Sequence, residues 1–346
     1  MVETAPPGRR TTLNDVARRA EVSAMSVSNF INGRDGTMTD ETRERIAAAV
    51  SDLNYRPHSA ARSIRMAETR SVGLIVVDES PTYLSDGYTT QLVSGLGDAL
   101  NHNGYTLQIE GLTADRVRTS RLIRHRQTDG LCILPSGDRA VRRDIVRTAA
   151  ATGQPFVLLL ESLPSEHRDA CCVLQSDRAG ARELGDHVLG RGARSILLLK
   201  QSHNHWQAVT ERERGIAEAV AAVPGASMES MACGTGDFGQ TSAAMISCLE
   251  SNGLPDAIMA TNDQIGIAVL KDLKVRGLSA PHDVLVTGFN AFDFWQFSDP
   301  VLTTVRSPGF DLGQQAAEAM ITRLSKGGFP RRRTVLETSL LLGETT

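Results

Sequence analysis

The sequence has few of the features that mark membrane, secreted or disulfide-rich proteins. Its 346 residues include five cysteines, of which only Cys171 and Cys172 are neighbours, and 4% aromatic residues. Such scarce, scattered cysteines predict neither a disulfide framework nor a zinc site. No apolar run reaches the roughly 18 residues that a membrane span needs, and the N-terminus has no apolar signal-peptide core. We therefore expect a cytoplasmic protein without a membrane partner.

The formal net charge of −3 is distributed unevenly along the chain. Residues 1–66 carry 10 Arg and 8 acidic residues, a balance of +2, whereas the remainder carries 27 basic and 32 acidic residues, a balance of −5. A mildly basic N-terminal segment on an acidic body is compatible with nucleic-acid binding by that segment.

The N-terminal segment nevertheless contains a stretch without cations, "EVSAMSVSNFING", which has no Arg or Lys between Ser23 and Gly33. Capping residues and apolar spacing predict three short helices around this stretch. They are expected near Leu13–Ala20, Ala24–Asn32 and Asp40–Leu53, capped by Thr12 with Asp15, by Ser23 and by Thr39. A tight turn between the first two helices makes them a helix-turn-helix candidate.

A different pattern begins at "YRPHSAARSIRMAETR", residues 55–70. Pro57 ends the preceding element, because the residue before a proline is driven out of the helical region. Residues 58–67 are compatible with a helix, but they are too few to form a stable helix alone in water.

From Ser71 onward, dense apolar runs alternate with helical stretches. Candidate strands are "SVGLIVVD", "YTLQIE", "DGLCILP", "PFVLLLE", "CCVLQS", "RSILLLK", "SMESMAC", "DAIMAT" and "DVLVTGF". Such runs are typical of parallel sheets covered by helices on both faces. Their number exceeds one comfortable sheet, so we predict two doubly wound α/β lobes. Ligands of such folds bind at the carboxyl ends of the strands or between lobes.

Several motifs, in this order, resemble those of the lactose-repressor/galactose-repressor family of bacterial transcription regulators. "TLNDVARRAEVSAMSVSNFING" resembles the family's helix-turn-helix, and "DETRERIAAAVSDLNYRPHSAARSI" its third helix and hinge. "DRAGARELGDHVLGRGARSI", "PDAIMATNDQIGIAVL", "DVLVTGFN" and "DPVLTTVRSP" resemble its effector-binding domain, of periplasmic-binding-protein type. The implied function is that of a nucleoid-associated transcription regulator, most simply a repressor, whose affinity for a pseudo-palindromic operator is set by a small effector, a sugar or related metabolite.

The resemblance also implies domain boundaries. We expect a helix-turn-helix domain at 11–57, a hinge helix at 58–67 and an effector-binding and dimerisation domain at 70–346. Within the last, one lobe is expected to comprise 70–172 plus 305–330, and the other 173–304 plus the C-terminal segment. The chain ends soon after its last strand, without the extra helix on which tetramers of the family rely, so we expect a homodimer rather than a tetramer.

A recognition helix reads base edges with residues near its N-terminus and one turn further on. The resemblance places Ala24, Met25 and Asn29 there. The first two can make only apolar contacts, such as with a thymine methyl, whereas Asn prefers adenine. Because the family usually has Arg where Asn29 stands, we predict an A·T-leaning half-site.

Residues suited to phosphate oxygens are Ser26, Ser28 and Asn32, with Tyr55, Arg56 and His58 nearer the hinge. Each could instead be a solvated surface residue.

Two further positions depart from the family pattern. Glu21 stands where the family commonly has Gly, at a turn in which φ can be positive. Ile64 stands where the family inserts a Leu into the minor groove; an apolar wedge there unstacks a base step and kinks the duplex. If Ile64 is this wedge, Ile64→Ser weakens operator binding by about tenfold or more and leaves effector affinity unchanged. The alternative is that Ile64 packs on the body.

The resemblance further implies a cleft in which an effector binds. The corresponding residues are Tyr88, Asp177, Arg212, Phe238, Asn262, Asp263 and Asn290. Each could instead have a structural role, because Asn and Asp are common in turns between strands and helices. Asn290 replaces the Asp usual in the family's "GFDD", which argues for an effector other than its well-studied sugars.

Two motifs offer competing functions. "GTGDFG", Gly234–Gly239, matches the dinucleotide fingerprint G-x-G-x-x-G and would suit an NAD-dependent oxidoreductase. It lies deep in the second lobe, however, rather than in a first βαβ unit. "HNHW", at 203–206, has too few ligands for a metal site. A plain solute-binding protein is the other alternative. We expect no enzymatic activity, cofactor or metal.

Overall fold

The computed structural model describes residues 11–56, 68–162, 167, 169–202 and 206–346. The chain divides into two compact units, with the boundary between Thr69 and Arg70. We call the first unit the head and the second the body. Within the described residues, no helix is long and apolar enough to cross a membrane.

The head contains three helices, α1 (Leu13–Arg19), α2 (Ala24–Ile31) and α3 (Asp40–Asp52). The predicted caps are present: the hydroxyls of Thr12, Ser23 and Thr39 each accept a hydrogen bond from the backbone N–H three residues later. The Asp15 carboxylate completes a capping box by accepting from Thr12 N at 2.9 Å. These bonds satisfy N–H groups that a helix leaves unpaired at its start.

Packing between the helices of the head supplies what such short helices lack alone. Each helix contributes one fully buried aliphatic side chain to the shared core, namely Val16, Val27 and Ile46. Val22, Phe30, Val50 and Tyr55 pack around them. The helix-turn-helix expected from the sequence is therefore present.

The first lobe of the body is built on a six-stranded sheet. Its strands are β1 (Ser71–Val77), β2 (Thr106–Leu112), β3 (Gly130–Leu134), β4 (Phe156–Leu159), β5 (Ala170–Gln175) and β11 (Arg333–Leu336). They lie in the order β11-β5-β4-β3-β1-β2, and every neighbouring pair is parallel. One face packs on α4 (Gly87–His102) and α11 (Gly309–Lys326), the other on α5 (Arg121–His125) and α6 (Arg139–Ala150).

The second lobe has a four-stranded parallel sheet in the order β7-β6-β8-β9. Its strands are β6 (Ser195–Lys200), β7 (Ser227–Ala232), β8 (Ala257–Ala260) and β9 (Leu285–Thr287). Helices α7 (Asp177–Gly190) and α8 (Gln207–Ala221) cover one face, and α9 (Phe238–Asn252) and α10 (Asp263–Val275) the other. A short antiparallel pair, β10 (Thr304–Arg306) and β12 (Ser339–Leu341), lies beside β9.

The chain crosses between the lobes three times: between β5 and α7, between β10 and α11, and between β11 and β12. Hydrogen bonds connect these crossings. The Gln175 amide donates to the Ser307 hydroxyl at 3.2 Å, and Thr338 N donates to the Ser176 hydroxyl at 2.9 Å. A change in the angle between the lobes must therefore act on these residues.

The two-lobed α/β architecture agrees with the expectation from sequence, and all nine candidate strands are strands. β10, β11 and β12 were not among the candidates, because none of them is a dense apolar run: β11 and β12 are partly exposed along their length, and β10 ends on an exposed arginine. The first sheet also extends beyond the expected lobe limits at 172 and 330. It includes β5 as far as Gln175, and it takes in β11, which pairs with β5.

Candidate functional site

A cavity lies between the lobes, at the carboxyl ends of the parallel strands. Its volume is about 60 Å³. The first lobe lines it with Asp86, Tyr88, Thr89, Leu134 and Leu160, and the second with Gln201, Trp206, Ala208, Val209, Arg212, Thr261, Asn262 and Asn290. A drug-sized ligand needs roughly 300 Å³ or more, so the cavity is a closed cleft that must widen to admit one.

Arg212 is the charged centre of the cleft and is only 4% exposed. Its Nε donates to Asp177 Oδ1 at 2.8 Å, Nη1 to the Thr261 carbonyl at 2.7 Å and Nη2 to Asn290 Oδ1 at 2.9 Å. The guanidinium stacks on the Phe289 ring, with Cζ 3.9 Å from the ring centroid. Three of its five donors are thus used by the protein, and two can still reach a ligand.

Asp177 joins this centre to the crossing between β5 and α7. Its Oδ1 also accepts from Gln175 Nε2 at 2.8 Å, while the Tyr88 hydroxyl donates to Gln175 Oε1 at 3.0 Å. Burial raises the pKa of the Asp177 carboxyl, and the Arg212 guanidinium counters this only in part. Burial also raises the pKa of Tyr88 well above its usual value, so Tyr88 is a neutral donor at neutral pH. The network runs from one lobe to the other.

Asn290 connects Arg212 to the second crossing. The Ser307 hydroxyl donates to Asn290 Oδ1 at 2.9 Å, and Ser307 N donates to the Asn290 carbonyl at 3.1 Å. Asn290 has φ of 102° and Ala291 φ of 51°, two consecutive non-glycine residues in a sparsely populated region. Such strain persists only where surrounding contacts impose it, and it concentrates at ligand-binding sites and switches.

Asn262 and Asp263 are adjacent but differ in what they contact. Asn262 lines the cavity and also caps α10, since its Oδ1 accepts from Ile265 N at 2.9 Å. Asp263 is fully buried beneath the cleft; it accepts from Phe292 N at 2.9 Å and from the Thr304 hydroxyl at 2.5 Å. Asp263 thus supports the strained segment rather than the cavity wall.

Phe238 lies elsewhere in the second lobe, at the start of α9. It is 38% exposed, and Lys271 Nζ lies 4.2 Å from its ring centroid. It is not among the residues that line the cavity within the described chain. Tyr88, Arg212, Asn262 and Asn290 therefore line the cleft, and Asp177 lies behind Arg212 as its ion-pair partner. Phe238 and Asp263 are not among the residues that line the cleft in the described part of the chain.

Several cleft residues were not selected from the sequence. Trp206 was considered only as part of "HNHW", and residues 203–205 lie outside the described chain. Gln201 and Thr261 follow β6 and β8, so the rule that ligands bind at carboxyl ends of strands could have found them. The Thr261 hydroxyl is buried without a hydrogen-bond partner among the described residues, a position that a ligand hydroxyl could satisfy.

Stability of the body should fall as the pH rises between about 4 and 7. Burial raises the pKa of Asp263 from 3.8 to about 7. Between these values the folded state binds more protons than the unfolded chain, so raising the pH costs stability, on the order of 2–4 kcal/mol in total. Urea unfolding at several pH values measures this slope. Asp263→Asn should flatten it; an equal slope in both proteins would contradict the assignment.

In the head, α2 presents the residues predicted to read DNA. Met25 is 69% exposed, and Ala24 and Asn29 are partly exposed, whereas Val27 is buried. The exposed side of α2 thus carries Met25 and the partly exposed Asn29, whereas Ala24 packs partly against the core of the head. Ser26 lies beside the cap, its Oγ 2.9 Å from Ser23 Oγ.

The other predicted phosphate-binding residues have mixed surroundings. Asn32 is exposed and donates to the Ser28 carbonyl at 2.6 Å. Tyr55 is partly buried against the core of the head, and Arg56 is exposed. His58 and Ile64, with the rest of the expected hinge helix, lie outside the described residues.

The turn before α2 has the conformation that the sequence suggested. Glu21 has φ of 55°, in the left-handed region that costs a non-glycine residue roughly 1–2 kcal/mol. Glu21→Gly should therefore stabilise the head by about 1 kcal/mol, after allowing for the greater freedom of glycine in the unfolded chain. Asn54, with φ of 44° in the same unit, is the control: because Asn tolerates this region, Asn54→Gly should gain less. Thermal unfolding compares the two, and a loss of stability in Glu21→Gly would contradict the prediction.

The "GTGDFG" loop joins β7 to α9 and is occupied by its own side chains. Gln240 Oε1 accepts from Thr235 N at 2.6 Å, and Asp237 Oδ1 accepts from Gln240 N at 2.9 Å. That backbone N–H holds the pKa of Asp237 below its usual range. A carboxylate thus sits at the helix N-terminus, where a dinucleotide fold would place a phosphate.

Comparison with known protein families agrees with these two units. A family model for "bacterial regulatory proteins, lacI family" matches residues 12–58, and one for a "periplasmic binding protein-like domain" matches residues 186–346. The chain belongs to the lacI family of bacterial regulatory proteins. It is a DNA-binding transcriptional regulator, as the sequence led us to expect.

Relatives in this family align along nearly the whole chain. The ribose operon repressor of Haemophilus influenzae is 28% identical over 96% of this chain and 98% of its own. The HTH-type transcriptional regulator CelR of Thermobifida fusca is 28% identical over 97% and 98%. Among solved structures, the Lac repressor dimer bound to operator and an anti-inducer shares the fold, with a TM-score of 0.83 at 20% identity over 98% and 99% of the two chains.

Proposed function

We propose that this protein is a transcriptional repressor that binds a pseudo-palindromic operator as a homodimer and responds to a small effector in the interlobe cleft. The observation that carries the proposal is the buried Arg212 network, which joins the cleft to two chain crossings. It occurs in a chain that also carries a helix-turn-helix. Two-fold symmetry is expected because paired recognition helices then fit half-sites about one DNA turn apart.

The composition of the cleft supports a hydroxylated, uncharged effector such as a sugar or related metabolite. Asp86, Thr89, Gln201 and Asn262 offer hydrogen-bonding groups, and Trp206 offers an aromatic face for the apolar side of a ring. The charge of Arg212 is already balanced by Asp177, so an anion gains little. The names of two relatives also favour a sugar: one is a ribose operon repressor, and the structure of another, CelR, was solved as a complex with cellobiose.

Thermodynamic linkage between effector binding and DNA binding supplies the mechanism of regulation. An effector changes DNA affinity only by binding one lobe arrangement more tightly than another. Residues of the cleft are hydrogen-bonded to the crossings through Gln175, Asn290 and Ser307. Widening the cleft to admit a ligand therefore moves the crossings. A coupling of about 1–3 kcal/mol, or 5- to 150-fold in affinity, is typical. Release of DNA on effector binding is the simplest outcome, and effector-assisted binding is the alternative.

Operator binding can be tested without knowing the target genes. Selection from random duplexes should return a two-fold symmetric site, bound in a gel shift with strong salt dependence. Sedimentation should give one dimer per duplex. Failure to enrich any sequence would contradict the proposal and favour a plain solute-binding protein.

Effector binding can be tested by screening metabolites for stabilisation, since a ligand of the native state raises its melting temperature. The chain has two tryptophans, of which Trp206 lines the cavity and Trp295 does not. A true effector should alter fluorescence in Trp295→Phe but not in Trp206→Phe. A response that survives only in Trp206→Phe would place the ligand elsewhere.

We propose no enzymatic role. An NAD-dependent oxidoreductase would have to bind the dinucleotide at the Gly234–Gly239 loop, where the Asp237 carboxylate occupies the phosphate position. Titration with NAD should leave both tryptophan signals and the melting temperature unchanged. A saturable response to NAD would instead support an NAD-dependent oxidoreductase.

A further inference from the structure

The first lobe has a basic surface at the edge opposite the cleft. Because all six strands of its sheet are parallel, their amino ends lie along one edge. We call this the amino edge. It comprises the residues just before β1, β3 and β11, including Arg70, Arg124–Arg126 and Arg331–Arg332. Asp129 N donates to the Ser71 carbonyl at 2.8 Å, which places the segment before β3 beside the start of β1.

The arginines of the amino edge face solvent. Arg124 and Arg126 are exposed, whereas Leu122, earlier in the same segment, is buried and anchors it. Arg331 and Arg332 are exposed just before β11. The edge from β1 to β11 spans four strand spacings, or about 20 Å.

Few acidic groups balance this charge. Asp169 pairs with Arg323, Asp129 Oδ2 accepts from Arg70 N, and Glu110 accepts from Arg121 N and its neighbours. In the described part of the chain, the side chains of Arg124 and Arg126 take part in no ion pair within 4 Å. The amino edge is therefore positive, although residues 67–346 as a whole carry an excess of acidic residues.

The recognition helix of the head, by contrast, has no cation. Arg18 lies 3.6 Å from Asp15, Arg19 pairs with Asp52 at 2.9 Å, and Arg43 pairs with both Asp35 and Asp40. Arg34, Arg45 and Arg56 are exposed and can meet phosphates. A second basic surface would add to these phosphate contacts, which normally supply much of the affinity for DNA.

We propose that the amino edge binds DNA phosphates flanking the operator. This inference rests on the proposed function. The chain enters the body at this edge, at Arg70 and Ser71, so only a short stretch of chain joins the edge to the head. A basic strip about 20 Å long can meet on the order of six phosphates of one strand.

The test compares two duplexes, one ending at the operator's limits and one carrying about 12 further base pairs on each side, enough to present about one more DNA turn. Wild-type full-length protein should bind the long duplex more tightly. Arg124→Gln/Arg126→Gln should lower affinity for the long duplex by roughly three- to tenfold and reduce its salt slope by about two per protomer. The short duplex should be bound as before.

A matched control variant tests whether the loss of affinity is specific to the amino edge. Arg139→Gln/Arg143→Gln removes the same charge from exposed residues of α6 in the same lobe, and it should leave the long-duplex advantage intact. Equal losses in both double variants would overturn the inference. An unchanged long-duplex affinity in Arg124→Gln/Arg126→Gln would also overturn it and would leave an acidic protein as the partner of this edge. Loss of binding to both duplexes by the wild type would instead refute the proposed function.

Discussion

Arg212→Met should destabilise the body by about 3–5 kcal/mol, because it leaves a buried carboxylate without its partner. The guanidinium is the donor to Asp177, to the Thr261 carbonyl and to Asn290, and all of these acceptors are buried. Without Arg212, Asp177 must either remain charged in a low-dielectric site or take up a proton. Denaturant unfolding at pH 7 and pH 5 measures the loss, which should be smaller at pH 5 because Asp177 then protonates more readily.

A double variant separates the contribution of the buried charges to stability from the contribution of packing. Asp177→Leu/Arg212→Met removes both charges, and replacing a buried pair by apolar residues of similar volume is often close to neutral. The double variant should therefore be more stable than Arg212→Met alone, although it should bind no effector. If the double variant were the less stable, packing or the Thr261 and Asn290 contacts would be the dominant contribution. A cost below 1 kcal/mol in Arg212→Met would show that the network does not hold the lobes.

Asn29→Arg should change which base pair the head prefers. Arg pairs bidentately with guanine, whereas Asn pairs with adenine, and each good pair is worth about 1–3 kcal/mol of discrimination. Preference at one symmetric pair of operator positions should shift from A·T toward G·C by roughly ten- to 100-fold. Asn29 is partly exposed on α2, so the longer side chain can be accommodated. Parallel selection from random duplexes gives the preferred site of each protein.

Asn32→Arg is the control for added charge. Asn32 lies at the C-terminal end of the same helix and is exposed. An arginine there should raise affinity for all duplexes and leave the preferred bases unchanged, since phosphate contacts position without specifying. If Asn29→Arg and wild type selected the same site, Asn29 would not read a base.

Features that depend on residues close in sequence could be predicted. Thr12, Ser23 and Thr39 were identified as caps because a cap needs only a hydroxyl and the next turn of backbone. The strands of the two lobes were found because strands buried on both faces are apolar along their whole length. The positive φ at Glu21 was suggested by the resemblance, because the family commonly has Gly at this turn.

Features that depend on residues distant in sequence could not be predicted by the same means. Phe238 and Asp263 were chosen by motif, yet one lies on the outside of the second lobe and the other is buried under the cleft. Trp206 lines the cleft although nothing in its local pattern indicates so. β11 joins the first sheet although it follows the last long helix in sequence.

The sequence by itself determined the helix-turn-helix, the α/β lobes and the family, because caps, periodicities and motif order are local properties. Only the tertiary structure decided which polar side chains share the cleft. Asp177, Arg212 and Asn290 are separated by dozens of residues, and they meet because parallel strands end at the same edge and the chain crosses there between lobes. The same geometry gathers arginines from three separate segments at the opposite edge. No local sequence pattern predicts the cluster in the cleft or the cluster of arginines at the amino edge, because both depend on the order of the strands in the sheet.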